Sequence, residues 1–491
     1  MGINLAIARR WRDDFAARGA DEAAELLDRA ATLVGFLREG AELQLPAGGQ
    51  AQRLAAMRGA ARRRSVLGAL DAVRTAFAAN APDRAPVLDY LLFLGACPFD
   101  ALATIPAAAL PLTDPAFANA EAPPPCDEPP TGFGNLVLIM KLTRLCNLRC
   151  TYCNDWREGS GNTMTAATQA QLMRRVAEDA SVSSICFVWH GGEPSLFGVR
   201  QMLGFLWLQA RLRRPGQILT NSIQTNAVAL PDKVLALWRL FDFKVSVSLD
   251  GPRSIHDLQR LTKAGKGSFD EVSRGIARLR TAGVFVGGLI VVTAEIAAYP
   301  IERLVADLLA AGVSTAGFLP VRPESSKGAG SYLPPEAFAD FMVRLFDLLR
   351  CRPDLKLDVR ELNVLHAAWA GQPTRFCEFN GPCLGGYFGV EPDGTVQHCD
   401  KFLGSKAHTI GHIDAQGFGE MRASPAMTAL REVEAQRWLR LCSCRWYGCC
   451  KGWCPHESHV AHLTGTASTC CGLASVFEHF EAVAGVKGTR A

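Results

Sequence analysis

Three cysteines carry the strongest chemical signal in this sequence. The apolar run 136–140 leads into Lys141-Leu-Thr-Arg-Leu-Cys146-Asn-Leu-Arg-Cys150-Thr-Tyr152-Cys153, a CxxxCxxC spacing. On a loop that follows a strand, three thiolates this close can hold three irons of a [4Fe–4S] cluster. The fourth iron is then left without a protein ligand, and an open metal position is what catalysis needs. Structural zinc takes four Cys or His ligands that close a tetrahedron, and no fourth ligand lies near this triplet.

A second concentration of cysteines lies near the C-terminus. It reads Cys377-x5-Cys383-x15-Cys399, then Cys442-x-Cys444-x5-Cys450-x3-Cys454, then Cys470. Seventeen cysteines in 491 residues is a high count. They cluster in a long chain whose start, MGINLAIARRWRDDFAARG, is broken by charges and lacks the apolar core of a secretory signal. A reducing compartment favours metal-binding thiolates over disulfides, so the expected localisation is cytoplasmic. Cys97, Cys186 and Cys351 stand alone, as buried small hydrophobes commonly do, and Cys126 is an incidental residue of a proline-rich stretch.

Between the cysteine groups, polar residues recur where apolar runs end. Val188-Trp189-His190-Gly191-Gly192-Glu193-Pro194 closes one run, and Ser222-Ile-Gln224-Thr-Asn226 the next. Ser246-Val-Ser248-Leu-Asp250-Gly251-Pro252 closes another, with His256, Asp257, Arg260 and Arg274 beyond it. Glycines permit close backbone approach, and a carboxylate such as Glu193 accepts bonds from an ammonium group.

The elements that must position these residues alternate. Segments 136–140, 185–189, 218–224, 245–249, 284–292 and 315–319 read as strands, with helices such as 166–180 and 269–282 between them. Repeated strand–helix units predict a parallel sheet, open or closed into a barrel. Functional residues then gather at the C-terminal strand ends. Residues 1–112 read as an all-helical domain, with Leu26, Leu27, Ala30 and Leu33 on one face and Leu67, Leu70 and Val73 on another. The basic stretch Arg58-Gly-Ala-Ala-Arg62-Arg63-Arg64 reads as a solvated helix face or a patch for an acidic peptide. Residues 113–133 hold six prolines and read as a stiff linker without regular helix or central strand. Residues 134–325 hold this sheet, and 326–375 read as a helical bridge starting at Pro334-Pro335-Glu336. Residues 376–491 read as loops tied down by metal.

Together these motifs resemble the radical S-adenosylmethionine superfamily, and closely the anaerobic sulfatase-maturating enzymes and related peptide maturases. The aromatic Tyr152 before the third cysteine fits the superfamily signature. The resemblance covers about residues 134–480. It implies an α/β fold, a partial (β/α)6 TIM-type barrel with a C-terminal SPASM extension. It implies S-adenosyl-L-methionine, one [4Fe–4S] cluster on Cys146, Cys150 and Cys153, and two auxiliary [4Fe–4S] clusters.

By the same likeness, Gly191, Gly192, Glu193 and Pro194 bind the cofactor's amino group, with Gln224 and Asn226 further matches. Ser248 and Asp250 hold its ribose, and Arg260 or Arg274 pairs with its carboxylate. Cys377, Cys383, Cys399 and Cys454 hold the first auxiliary cluster. Cys442, Cys444, Cys450 and Cys470 hold the second. There the family's usual spacing falls on Leu441 rather than Cys442, and Cys449 and Cys471 are extra neighbours. Asp400, after Cys399, matches the proposed base of sulfatase maturation; a loop carboxylate bonding backbone N–H groups is the other reading.

The implied chemistry is reductive cleavage of the sulfonium cofactor, hydrogen abstraction by a 5′-deoxyadenosyl radical, and loss of a further electron to an auxiliary cluster. Its partners are a precursor peptide or protein substrate and a flavodoxin- or ferredoxin-like one-electron reductant. The leading expectation is a maturase that cross-links or otherwise oxidises a side chain of a ribosomally made peptide, motivated by the added helical domain. The alternative is formylglycine formation from Cys or Ser. A non-catalytic iron–sulfur carrier would need neither the GGEP segment nor a ribose carboxylate. A net charge of +4 gives no argument for nucleic acid, and no apolar run suits a membrane span.

Overall fold

The computed structural model of the chain describes residues 2–37, 43–44, 73, 75, 79–105, 107, 110, 114–118, 134–153, 155–159, 161–214, 216–321, 333–374, 376–381, 383–402, 405–463, 465 and 468–487. The basic stretch 58–64, Leu67, Leu70 and Cys126 lie outside them.

Six strands build the central sheet: β3 (Gly134–Thr143), β4 (Val182–Gly191), β5 (Ile218–Thr225), β6 (Lys244–Ser248), β7 (Phe285–Val292) and β8 (Thr315–Pro320). They pair in sequential order and all in parallel. Helices such as Ala166–Glu178, Val199–Leu212 and Asp232–Leu240 return the chain between them. Each predicted strand falls on an observed one. Sequential parallel order with returning helices is the arrangement of a barrel. Here β3 and β8 do not meet: β3 pairs outward with β10 (Tyr387–Val390), and β8 with β9 (Asp358–Val359). The barrel is therefore partial.

Strand alternation divides the sheet into two faces. Phe187 and Trp189 of β4 are buried, and the Trp189 ring packs edge-on against Phe205 and Phe243. The alternate residues Ser184, Cys186, Val188 and His190 are half-buried, as are Ser222 and Gln224 of β5 and Ser246 and Ser248 of β6. One face thus packs on helices, while the other lines the barrel with small and polar groups.

Several expected outlines change. The N-terminal region carries a short antiparallel pair, β1 (Gly2–Ile3) with β2 (Leu43–Gln44), so it is not all-helical. Two-residue strands are too short to leave an alternation pattern. Among the described residues of the proline-rich stretch, Pro115–Ala118 form a helical turn, because proline at the first helical position gives up an N–H that needs no partner there. Between the helices Pro335–Cys351 and Arg360–Trp369, β9 adds a strand to the barrel sheet. The C-terminal region has more than loops. There β10, β11 (Thr395–His398) and β12 (Thr409–His412) extend the sheet beyond β3, and the helices Pro425–Leu441 and Ala474–Lys487 add buried Met427, Val476 and Phe477.

The N-terminal helices dock on the outer helical layer rather than the barrel mouth. Arg29, buried on the helix Asp21–Phe36, donates to Gly95 O (3.0 Å) and Leu240 O (2.8 Å). Trp207 Nε1 donates to Ile105 O at 2.9 Å. No single helix among the described residues is long and apolar enough to cross a membrane.

Candidate active site

β3 ends at Thr143 and the chain turns through Cys146, Cys150 and Cys153. All three are free thiols, Cys146 buried and the others half-buried. The Leu148 N–H donates to Cys146 Sγ (3.3 Å) and the Asp155 N–H to Cys153 Sγ (3.4 Å). Backbone bonds from Arg149 to Leu261 O and from Thr151 to Gln259 O hold the loop. Burial, with the nearby Glu193 charge, pushes the Cys146 thiol up to about 12. Burial raises Cys150 to about 11 against the pull of Arg260. Thiols this reluctant to ionise alone lose their protons when a metal takes up the charge. This donor set therefore fits an iron–sulfur cluster.

The glycine pair presses on this loop. A Cβ at Gly192 would sit 2.2 Å from Leu145 O, and one at Gly191, whose φ is +135°, 2.1 Å from Thr143 O. The N–H groups of Gly192 and Glu193 donate to Thr143 O (2.7 Å) and Leu145 O (2.8 Å). The close approach expected of Gly191 and Gly192 is thus made to the cysteine loop itself. Pro194 opens the 3-10 turn Pro194–Phe197.

Glu193 is buried, and its carboxylate accepts from Thr225 Oγ1 (2.6 Å), Asn226 N (2.8 Å) and Ser195 N (3.0 Å). It locks the ends of β4 and β5 together, and the Ser195 side chain adds a further bond to it. Asn226 Nδ2 donates to Asn147 Oδ1 (2.8 Å) and lies 3.8 Å from Cys146 Sγ. Gln224 Nε2 donates to Ser248 Oγ at 2.9 Å.

Asp250 lies at the end of β6, at the heart of a buried network. It is 0% exposed, and its oxygens accept from Arg260 Nε (2.8 Å), Val291 N (3.1 Å) and the Tyr152 hydroxyl. This carboxylate positions Arg260 and Tyr152. Arg260 Nη1 lies 3.7 Å from Cys150 Sγ. Arg274 is exposed on the helix Phe269–Thr281, so of the two arginines only Arg260 reaches the cysteine loop.

A network that the sequence reading did not assemble lies beside the loop. Lys141, fully buried, has Nζ 2.9 Å from both Asp155 Oδ2 and His190 Nδ1, and 3.8 Å from Asp400 Oδ2. Arg144 adds a 2.7 Å contact to Asp155 and a second pair with Glu391. Burial and Lys141 lower His190 to about 4. The neutral ring accepts at Nδ1 from Lys141 and from Gly191 N–H, which leaves the proton on Nε2. Asp400 is held below its ordinary range because Lys141 and His190 outweigh its burial. It stands where expected, next to Cys399, with Oδ1 3.5 Å from the Cys399 sulfur. The available signal was charge inside apolar strands, at Lys141 in β3 and His190 in β4.

Cys377, Cys383 and Cys399 gather around Cys454, whose charge acts on all three. Cys399 has φ +63°, a conformation costly for a side chain with a Cβ and held here by its surroundings. Lys401 Nζ lies 3.7 Å from Cys454 Sγ and 2.5 Å from Glu378 Oε1. A second group holds Cys444, Cys450, Cys470 and Cys471. Cys442, expected among them, is exposed and its thiol faces Leu439 O at 3.5 Å. Among the described residues no three His, Cys, Asp or Glu surround one point as ligands of a single metal ion. The thiols are gathered rather than arranged as a single-ion shell.

Residues 140–302 match the radical SAM superfamily model, and residues 382–451 match SPASM, an iron-sulfur cluster-binding domain. The serine-type anaerobic sulfatase-maturating enzyme of Klebsiella aerogenes is 31% identical over 338 residues, covering 66% of this chain and 80% of that enzyme. The cysteine-type enzyme of Clostridium novyi (strain NT) is 26% identical, covering 70% and 94%. The solved structure of native anSMEcpe with bound AdoMet and Cp18Cys peptide superposes with a TM-score of 0.62 at 24% identity, covering 70% and 96%. A partial barrel with a cysteine-bearing loop after its first strand and a cysteine-rich extension defines a radical SAM enzyme. The chain belongs to this superfamily and, within it, to the family of the anaerobic sulfatase-maturating enzymes. It is a maturase whose cofactors are S-adenosyl-L-methionine and iron–sulfur clusters.

Proposed function

We propose that this chain oxidises, by two electrons, one side chain of a peptide or protein. The observation that carries this reading is the placement of Asp400. Its carboxylate stands at the ends of β3 and β4, between the barrel cysteines and the first auxiliary group, with Lys141 and His190 beside it. Cys146, Cys150 and Cys153 hold the barrel cluster, and Cys377, Cys383, Cys399 and Cys454 the first auxiliary one. S-adenosyl-L-methionine, when bound, supplies the radical that removes a hydrogen atom from the substrate. Arg260, fixed by Asp250, binds its carboxylate, and the turn Gly191-Gly192-Glu193-Pro194 its ammonium group. Gln224 and Ser248 lie half-buried on the same inner strand face. Asp400 takes the substrate's proton at its carboxylate, and Lys141 keeps that carboxylate ionised beforehand.

The substrate is read in two ways. Formylglycine formation on Ser or Cys is supported by the relatives, which are sulfatase-maturating enzymes of both types. Cross-linking or related oxidation of a ribosomally made peptide is supported by the docked N-terminal helices, since the matched relatives leave about a third of this chain uncovered. A flavodoxin- or ferredoxin-like protein supplies the electron.

The test uses the reduced, reconstituted protein with S-adenosylmethionine and two peptide sets, followed by fragmentation mass spectrometry. An aldehyde at Ser or Cys in a sulfatase-type peptide establishes the first reading. Loss of two hydrogens with a new side-chain bond in a co-encoded peptide establishes the second. Absence of 5′-deoxyadenosine under oxygen-free conditions defeats both. D400N is expected to form 5′-deoxyadenosine while losing at least tenfold in product.

A further inference from the structure

One residue of offset along a helix turns a side chain by about 100°. At the end of the helix Pro425–Leu441, Leu441 faces inward and is buried, whereas Cys442 is exposed. The Cys442 N–H closes the last turn onto Trp438 O at 2.8 Å, and its thiol donates to Leu439 O. The inward position therefore belongs to a leucine, and the cysteine beside it points away from the other thiols.

Cys471 fills the gap from the other side. Its sulfur lies 3.5 Å from Cys450 Sγ and also bonds Cys470, which in turn bonds Cys444. A shared backbone pattern marks these four residues. The Gly452 N–H donates to Cys450 Sγ (3.3 Å) and the Gly472 N–H to Cys470 Sγ (3.4 Å). The N–H groups of Trp446 and Leu473 are likewise directed at Cys444 and Cys471. The same donor two residues on serves Cys146 and Cys153. Such N–H···S bonds stabilise charge on a ligating sulfur. The turn that carries Cys470 and Cys471 is pinned: Gly472 has φ +90°, and a Cβ there would meet Pro335 Cβ at 2.3 Å.

We propose that Cys471, and not Cys442, completes the ligand set of the second auxiliary cluster with Cys444, Cys450 and Cys470. The proposal rests on the reading that this chain carries two auxiliary clusters. Cys442 is then a free thiol outside the cluster.

The experiment measures iron and acid-labile sulfide, with EPR of the reduced state, in the anaerobically reconstituted full-length chain and in C471S and C442S. C471S is expected to lose about one third of the iron and one reduced-cluster signal, as removal of one cluster in three requires. C442S is expected to match wild type. Loss in C442S with retention in C471S overturns the proposal, as does retention in both. A second measurement needs no variant. Iodoacetamide treatment of the wild-type holoprotein is expected to label Cys442 while Cys471 stays protected until a chelator strips the iron. Labelling of Cys471 in the holoprotein overturns the assignment even where C471S fails to fold. Wild-type protein holding iron for two clusters only, with C399S still losing half of it, removes the second auxiliary cluster and this proposal with it. That result leaves the barrel and first auxiliary assignments standing.

Discussion

Arg260 Nε stands 2.8 Å from Asp250 Oδ2, with both side chains buried, and the Tyr152 hydroxyl donates to the same carboxylate. The pair joins the end of β6 to the cysteine loop, because Arg260 also reaches Cys150. Removing one partner of a buried pair leaves an uncompensated charge, which costs about 3–5 kcal/mol. D250N is therefore expected to destabilise the apoprotein by that order in urea unfolding. It is also expected to weaken S-adenosylmethionine binding at least tenfold in equilibrium dialysis of the reconstituted protein. A D250N protein of wild-type stability would show that the carboxylate does not hold Arg260.

His256 supports this pair from beneath. Its Nδ1 accepts from the Asp250 N–H at 3.2 Å, and Nε2 is 3.1 Å from Ser268 Oγ. Burial, then Arg260, lower its pKa from 6.5 to about 4. The folded state resists protonation that the unfolded chain accepts. The stability contributed by neutral His256 is thus full above about pH 6.5 and falls as pH drops toward 4, by up to about 3 kcal/mol. Urea unfolding of wild type and H256Q across pH 4–7 checks this: the variant is expected to show a shallower slope. Equal slopes would assign the acid sensitivity elsewhere.

Gly192 tests the packing of β4 against the cysteine loop. G192A places a methyl group 2.2 Å from Leu145 O, against backbone that cannot swing aside. Overpacking of this kind costs about 1–3 kcal/mol. Displacement of the loop is expected to lower iron loading of the barrel site by a cluster's worth. Normal iron content in G192A would show that the loop can move without losing its metal.

Arg29 tests the docking of the N-terminal helices. Its three-way contact spans Gly95 O, Leu240 O and Asp242. R29M removes the donors and leaves those buried carbonyls unpaired, at about 1–3 kcal/mol. Limited proteolysis is expected to cut the N-terminal region from the barrel several-fold faster. An unchanged cleavage rate would mean that apolar packing alone holds the region in place.

The sequence by itself determined the six parallel strands and the cysteine loop. Strand periodicity and the CxxxCxxC spacing are local properties, so each of the six strands and Cys146, Cys150 and Cys153 could be placed from neighbours alone. Short elements escaped: β1, β2 and β9 hold two residues each, and only pairing partners distant in sequence define them. Side-chain partners were likewise beyond reach. The glycines at 191 and 192 were legible as close-approach residues, but not that the cysteine loop is what they approach. Asp250 was legible as a strand-end carboxylate, but not as the partner of Arg260. Only the tertiary structure gathered Lys141, Asp155, His190 and Asp400, which come from four separate stretches of chain, and turned Cys442 outward while bringing Cys471 in. Spacing records distance along the chain, whereas ion pairing and ligation depend on distance through space, which is fixed only when strands and helices pack.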